Sequence, residues 1–192
     1  MHDHFSSVIE RRGRLNLIKV IFGETGAGKT KRIIDIANET LKTANGSIVF
    51  IDNDSQYMFG LKHDIRFVDA SEYHIDSPKM FFGFVSGIAA QDFDLEYLFV
   101  DGFMKIVHHP LDTLEDLFKE MAAFAERRKV KLVLSITGSV NDAPAFLKPY
   151  IDEELLFMPL RRRIGCAAVR RLLVQFMLHC APNYDKIQLA PE

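Results

Sequence analysis

Apolar residues fall along this chain in two alternating patterns. Short runs that are apolar at nearly every position, and rich in β-branched residues, read as strands buried on both faces. Longer stretches with apolar positions three and four apart read as amphipathic helices. The first run, NLIKVIF at 16–22, stops at Gly23 and predicts a strand. A helix follows over about 28–43, with Ile33, Ile34, Ala37 and Leu41 on one face and Asn45-Gly46 closing it. SIVFI at 47–51 predicts a second strand that ends in Asp52, Asn53 and Asp54, and 65–68 a short third. Ser77 as a cap, with Pro78 at the first helical position, opens a helix striped by Phe81, Phe84, Val85 and Ile88.

The fourth strand, 97–100, ends at Asp101-Gly102. Asp112 and Glu115 have the spacing of a capping box for a helix to about Arg128, striped by Leu114, Leu117, Phe118, Met121 and Ala125. VKLVLSI at 130–136 predicts a fifth strand, 141–150 a loop, 154–160 a last strand and 161–180 a last helix. Strands that alternate with helices in this way predict a three-layer α/β fold: a mostly parallel sheet with helices on both faces. Right-handed crossovers bring the segments after the strands to one edge, where such sheets bind ligands. Residues 23–30, 52–54, 101 and 137–139 should converge there.

One of those segments carries a specific motif. Gly23-Glu24-Thr25-Gly26-Ala27-Gly28-Lys29-Thr30 is G-x-x-x-x-G-K-T, set between a predicted strand and a predicted helix. Its glycines let backbone N–H groups turn inward onto phosphate oxygens, and the helix start adds a positive dipole. Lys29 would reach the β- and γ-phosphates of ATP (GTP is not excluded), and the Thr30 hydroxyl would sit on Mg²⁺. Tyr97-Leu98-Phe99-Val100-Asp101 matches a Walker B strand, whose acid would hold Mg²⁺ through water. Asp52 and Asp54 are either turn formers or acids beside the γ-phosphate, one of them able to polarise an attacking water. Glu24 is more simply an exposed loop position than a contact to water or to a neighbouring subunit.

The order of these pieces, phosphate loop, helix, FIDND, EYLFVDG and KLVLSITGS, resembles the RecA/KaiC-like core ATPases over roughly 15–139. That resemblance implies a RecA-like core of the P-loop NTPase class and an ATPase activity. It matches Asp54 to the family's catalytic acid, usually Glu, and Asp101 to its Mg²⁺-supporting aspartate. It also implies slow hydrolysis by one copy, with charge supplied by a second subunit or a protein partner. The family's polar switch residue has no firm counterpart, Thr137 and Ser139 being the nearest. A small-molecule kinase and a non-hydrolysing nucleotide sensor or scaffold are the rival readings.

Composition narrows the remainder. The 192 residues suit one domain over 15–192 after a polar lead-in, 1–14. A net charge of −2 gives no global attraction to nucleic acid or acidic membranes. The lead-in has no apolar core of a signal peptide, and no apolar run is long enough to span a bilayer, so a cytoplasmic protein is expected. Cys166 and Cys180, roughly 21 Å apart on one predicted helix, are too distant to bridge. Arg161, Arg162, Arg163, Arg170 and Arg171 read most simply as a solvated face, with a phosphate or nucleic-acid patch, or an arginine for a neighbour's γ-phosphate, as the alternatives. His2, His4, His108 and His109 lack zinc-ligand spacing, so Mg²⁺ is the only metal expected.

Overall fold

A computed structural model describes residues 17–139 and 142–155. Their apolar runs form six strands, β1 (Ile18–Gly23), β2 (Ser47–Asp52), β3 (Ile65–Asp69), β4 (Leu95–Val100), β5 (Lys131–Thr137) and β6 (Ile151–Leu155). Every described pairing is parallel, and the sheet order is β3-β2-β4-β5-β1-β6. The helices are α1 (Lys29–Thr40), α2 (Pro78–Gln91), α3 (Phe103–Val107) and α4 (Glu115–Arg128).

Alternation along each strand divides the core in two. Val20, Phe22, Val49, Ile51, Leu98, Val100, Leu132 and Leu134 pack on the side that holds α2, α3 and α4. Ile21, Ile48, Phe50, Phe99 and Val133 face Ile33 and Ala37 of α1 on the other side. The result is a three-layer α/β fold with helices on both faces of a parallel sheet, as the pattern predicts. On the α1 face, Phe67, Phe50, Phe99 and Tyr97 form a stacked row across three strands, with ring centroids 6.1 to 6.4 Å apart.

Several local expectations hold and others need correction. Ser77 does cap α2, its Oγ accepting from the Met80 N–H at 3.4 Å, with Pro78 in the first turn. The capping box at Asp112 does not form. Asp112 lies in a 3-10 turn, Leu111–Thr113, held by two bonds from Thr113 to the Pro110 carbonyl, and α4 starts only at Glu115 after the buried Leu114. The last described strand begins at Ile151 rather than 154: Ile151 packs into the core under α2, α3 and α4 and Leu155 into the core under α1, with the register against β1 shifting between them. Two of its acids pair with the neighbouring elements, Asp152 with Lys19 at 3.0 Å and Glu153 with Arg32 in a two-pronged contact. The predicted helix at 161–180, with Cys166, Cys180 and the arginine cluster, lies outside the described residues, as do His2 and His4. No described helix is long and apolar enough to cross a membrane.

Candidate functional site

The chain leaves β1 toward the α1 face, whereas after β5 it returns with Ala143 and Leu147 on the opposite face. These two strands are neighbours, so the topology switches at their carboxyl ends, the place where sheets of this kind bind ligands. Residues 23–30 form the loop at this point.

Three features shape that loop. Gly23 is flanked by β5 and β6 at once, and a Cβ there would lie 2.2 Å from the Leu155 carbonyl oxygen, so only glycine fits. Gly26 and Gly28 take left-handed φ angles of 80° and 87°, a conformation in which successive N–H groups turn to the same side. α1 then starts at Lys29, and the Arg32 N–H bonds back to the Gly28 carbonyl at 3.1 Å. Glu24, Thr25, Gly26 and Gly28 are exposed, while Ala27 and Thr30 are half-buried. Lys29 points inward. Its Nζ donates to the carbonyls of Gly23 at 2.9 Å and Glu24 at 2.8 Å. Burial lowers its pKa below the usual lysine range, against the opposing pull of the Asp101 charge, and Lys105 lowers it further.

The same alternation that sorts the core sends Asp52, at the end of β2, and Ser135, in β5, toward the α1 face. Asp101, just after β4, meets Ser135 there: the serine hydroxyl donates to Asp101 Oδ1 in a close contact and accepts from the Gly102 N–H at 3.0 Å. Lys29, Asp52, Asp101 and Ser135 are the buried polar residues among the described ones, at 8%, 2%, 3% and 2% exposure. Buried polar groups of this kind, gathered at one strand edge, are the informative exception in an apolar core.

Asp52 is the most perturbed of the four. Its Oδ1 accepts from the N–H groups of Asn53 at 2.7 Å and Asp54 at 3.3 Å, whereas Oδ2 has no partner. Burial, with the nearby Asp101 charge, pushes its pKa up to about 7 despite those two bonds. Asp54 behaves differently. The chain bends after Asp52, which ends the strand alternation, and Asp54 becomes the half-buried cap of a 3-10 turn, Ser55–Gly60. Its Oδ1 accepts from the Gln56 N–H at 3.0 Å. The pair therefore does not share one orientation, and the acid deepest beside Asp101 is Asp52.

Ser135 is a member of this group that the sequence reading passed over. Its signal was available: one hydroxyl inside the otherwise apolar end of VKLVLSI. Thr137 is exposed at the end of β5, and the next N–H, of Gly138, bonds the Gly23 carbonyl at 3.1 Å, tying β5 to the loop.

The residues fit a hard divalent cation. Asp52 Oδ2 is a buried oxygen without a partner, and the neighbouring acid is a second carboxylate. An all-oxygen set of one or two carboxylates and hydroxyls, completed by water and phosphate oxygens, suits Mg²⁺. No described group of three or more His, Cys, Asp or Glu side chains is placed to hold a metal ion by itself.

No family model matches the chain and no curated protein is similar to it. Among solved structures it is similar to the flagellar accessory protein FlaH from Methanocaldococcus jannaschii, at 14% identity and a TM-score of 0.40, over 72% of this chain and 69% of that one.

Proposed function

We propose that this chain binds ATP with Mg²⁺ on residues 23–30 and hydrolyses it. The observation that carries the reading is the loop itself: two left-handed glycines lead into α1, and the Lys29 ammonium is buried at their foot beside Asp101. In this reading the N–H groups of Gly26 to Thr30 cradle the phosphates, and Lys29 exchanges its two carbonyl acceptors for β- and γ-phosphate oxygens. Thr30 and Asp101 would hold Mg²⁺, Asp101 through water, and Ser135 fixes the Asp101 carboxylate. Bound there, Mg²⁺ would supply positive charge against the charge that develops on the phosphoryl group.

Asp54 orients the water that attacks the γ-phosphorus and receives its proton while the bond from that phosphorus to the β–γ bridging oxygen breaks and ADP leaves, as the resemblance to the RecA/KaiC-like ATPases implies. Asp52 is the more deeply buried acid and is a second carboxyl group near Asp101. Full turnover draws on charge from a second copy or another protein. A nucleotide-dependent sensor is the second reading, favoured by one observation: the Asp54 carboxylate is engaged with the Gln56 N–H.

The test follows the γ-phosphate of labelled ATP–Mg²⁺ over a range of protein concentrations. Free phosphate that disappears in Lys29→Ala and in Asp54→Asn supports the hydrolase, with Asp54 as its acid. Loss in Asp52→Asn with activity kept in Asp54→Asn moves the role to Asp52. Bound nucleotide with no release at any concentration rejects hydrolysis by this chain alone and supports the sensor.

A further inference from the structure

A cleft of about 290 Å³ opens on the same sheet edge, beyond the ends of β2, β3 and β4. Asn53, Ser71, His74, Lys105 and His108 supply its polar lining, with Ile75 and Ile106 among its apolar walls. None of residues 23–30 lines it. The turn at Gly102 separates it from the buried acids: a Cβ placed there would be 3.3 Å from Asn53 Oδ1, 3.7 Å from Lys105 Cδ and 3.9 Å from Asp52 Oδ1.

We infer that this cleft is a second ligand site, taking a small molecule that carries an oxyanion, phosphate or carboxylate, on a compact apolar body. The inference stands apart from the nucleotide reading, since the cleft would bind its ligand whether or not the loop holds ATP.

Charge is the first reason. The titratable residues of the lining are one lysine and two histidines, with no carboxylate among them. The nearby acid Asp69 is already engaged by the N–H and hydroxyl of Ser71 at 2.9 and 2.6 Å. Lys105 is exposed in the cleft yet close enough to Lys29 to be felt there electrostatically.

His108 gives the second reason. Its Nδ1 lies 3.2 Å from the Ile75 carbonyl and 3.1 Å from the Ile106 carbonyl. Both neighbours only accept, so Nδ1 carries the proton, and the ring ties one wall of the cleft to the other. Nε2 is then the ring nitrogen left outside these backbone contacts to His108. His74 and His108 also share an uncommon backbone state, with left-handed φ angles of 46° and 55°. In both cases the residue caps the end of a short helical segment.

Shape sets the size of the ligand. Ala70, Ile75 and Ile106 are buried apolar walls, and the volume falls at the lower end of the roughly 300–1,000 Å³ of ligand pockets. A molecule of metabolite size with one charged head fits this lining.

The test uses the full chain carrying Lys29→Ala, which weakens phosphate binding at the loop, with the histidine rings isotopically labelled. Inorganic phosphate and acetate are titrated separately while the ring resonances are followed by NMR. With either anion, the signals of His74 and His108 should move saturably while those of His63 and His109 stay. Movement with phosphate alone assigns a phosphate head, and movement with both assigns a general oxyanion. Adding Lys105→Ala should weaken the response about tenfold or more, and Lys105→Arg should retain it. Spectral dispersion confirms that each variant is folded. If His74 and His108 move no more than His63 and His109, or if Lys105→Ala titrates unchanged, the cleft is not such a site. Either result leaves nucleotide binding at the loop, measured with Lys29 intact, as a separate question.

Discussion

Asp52 makes the account quantitative. Buried beside Asp101, with one oxygen unpartnered, it has a pKa of about 7 in place of 3.8. The folded value lies above the unfolded one, so between these limits the folded state binds the extra proton. Stability from this group is fully present below about pH 3.8 and falls as pH rises through about 7. A shift of about three pH units corresponds to a ceiling of roughly 4 kcal/mol lost by pH 8. Asp52→Asn removes the charge at constant shape. Its carbonyl keeps the bonds from the Asn53 and Asp54 N–H groups, and the new amide faces the Asp101 charge. The variant should be about 2–4 kcal/mol more stable than the parent at pH 8 and within about 1 kcal/mol of it at pH 4. Urea unfolding followed by circular dichroism, in chelator to hold Mg²⁺ away, measures both differences. Equal effects at the two pH values, or a variant no more stable at pH 8, would refute the reasoning. A change in the slope against urea would mean that the fold itself had changed.

Other substitutions test the frame around the site. Gly23→Ala sets a Cβ against the Leu155 backbone, so β6 must shift, at a cost of about 1–3 kcal/mol in denaturant unfolding. Gly28→Ala meets no atom within 4 Å and pays only for its left-handed φ, about 1–2 kcal/mol by the same assay. An unchanged midpoint for Gly23→Ala would remove β6 from its place beside β1. Ser135→Ala takes a donor from Asp101 and leaves the Gly102 N–H without its acceptor, which should cost about 1–3 kcal/mol. The same variant should weaken the Mg²⁺ dependence of nucleotide binding, and an unaltered Mg²⁺ titration would argue that Ser135 only packs.

The layers and most strands were legible in the sequence because parallel strands buried on both faces leave continuous apolar runs, as in SIVFI and YLFV. Helix stripes were legible for the same reason: Leu117, Phe118, Met121 and Ala125 are all buried in α4. What escaped were features settled by neighbours distant in sequence. α3 is five residues long, too short for its pattern to register, and owes its place to Phe103 wedged between Phe81 and Phe118. The start of β6 was missed by three residues, because its run of three acids, 152–154, hides a strand whose charges find Lys19 and Arg32. The loop at 23–30 was visible as a motif, and Asp101 as an acid ending an apolar run. The contrast between Asp52 and Asp54 was not, because two acids in FIDND separate only when the chain bends and buries one of them. The cleft lined by Asn53, by His74 and by Lys105 with His108 draws on three separate segments, and no spacing joins those segments in the sequence.

The central claim is that residues 23–30 hold a nucleoside triphosphate with Mg²⁺, and calorimetric titration of ATP–Mg²⁺ into the full chain tests it most directly. Saturable one-to-one binding, weakened about tenfold or more by Lys29→Ala in a variant that remains folded, is the predicted result. No heat of binding for the parent chain with either ATP or GTP, or an affinity indifferent to Lys29→Ala, would contradict it.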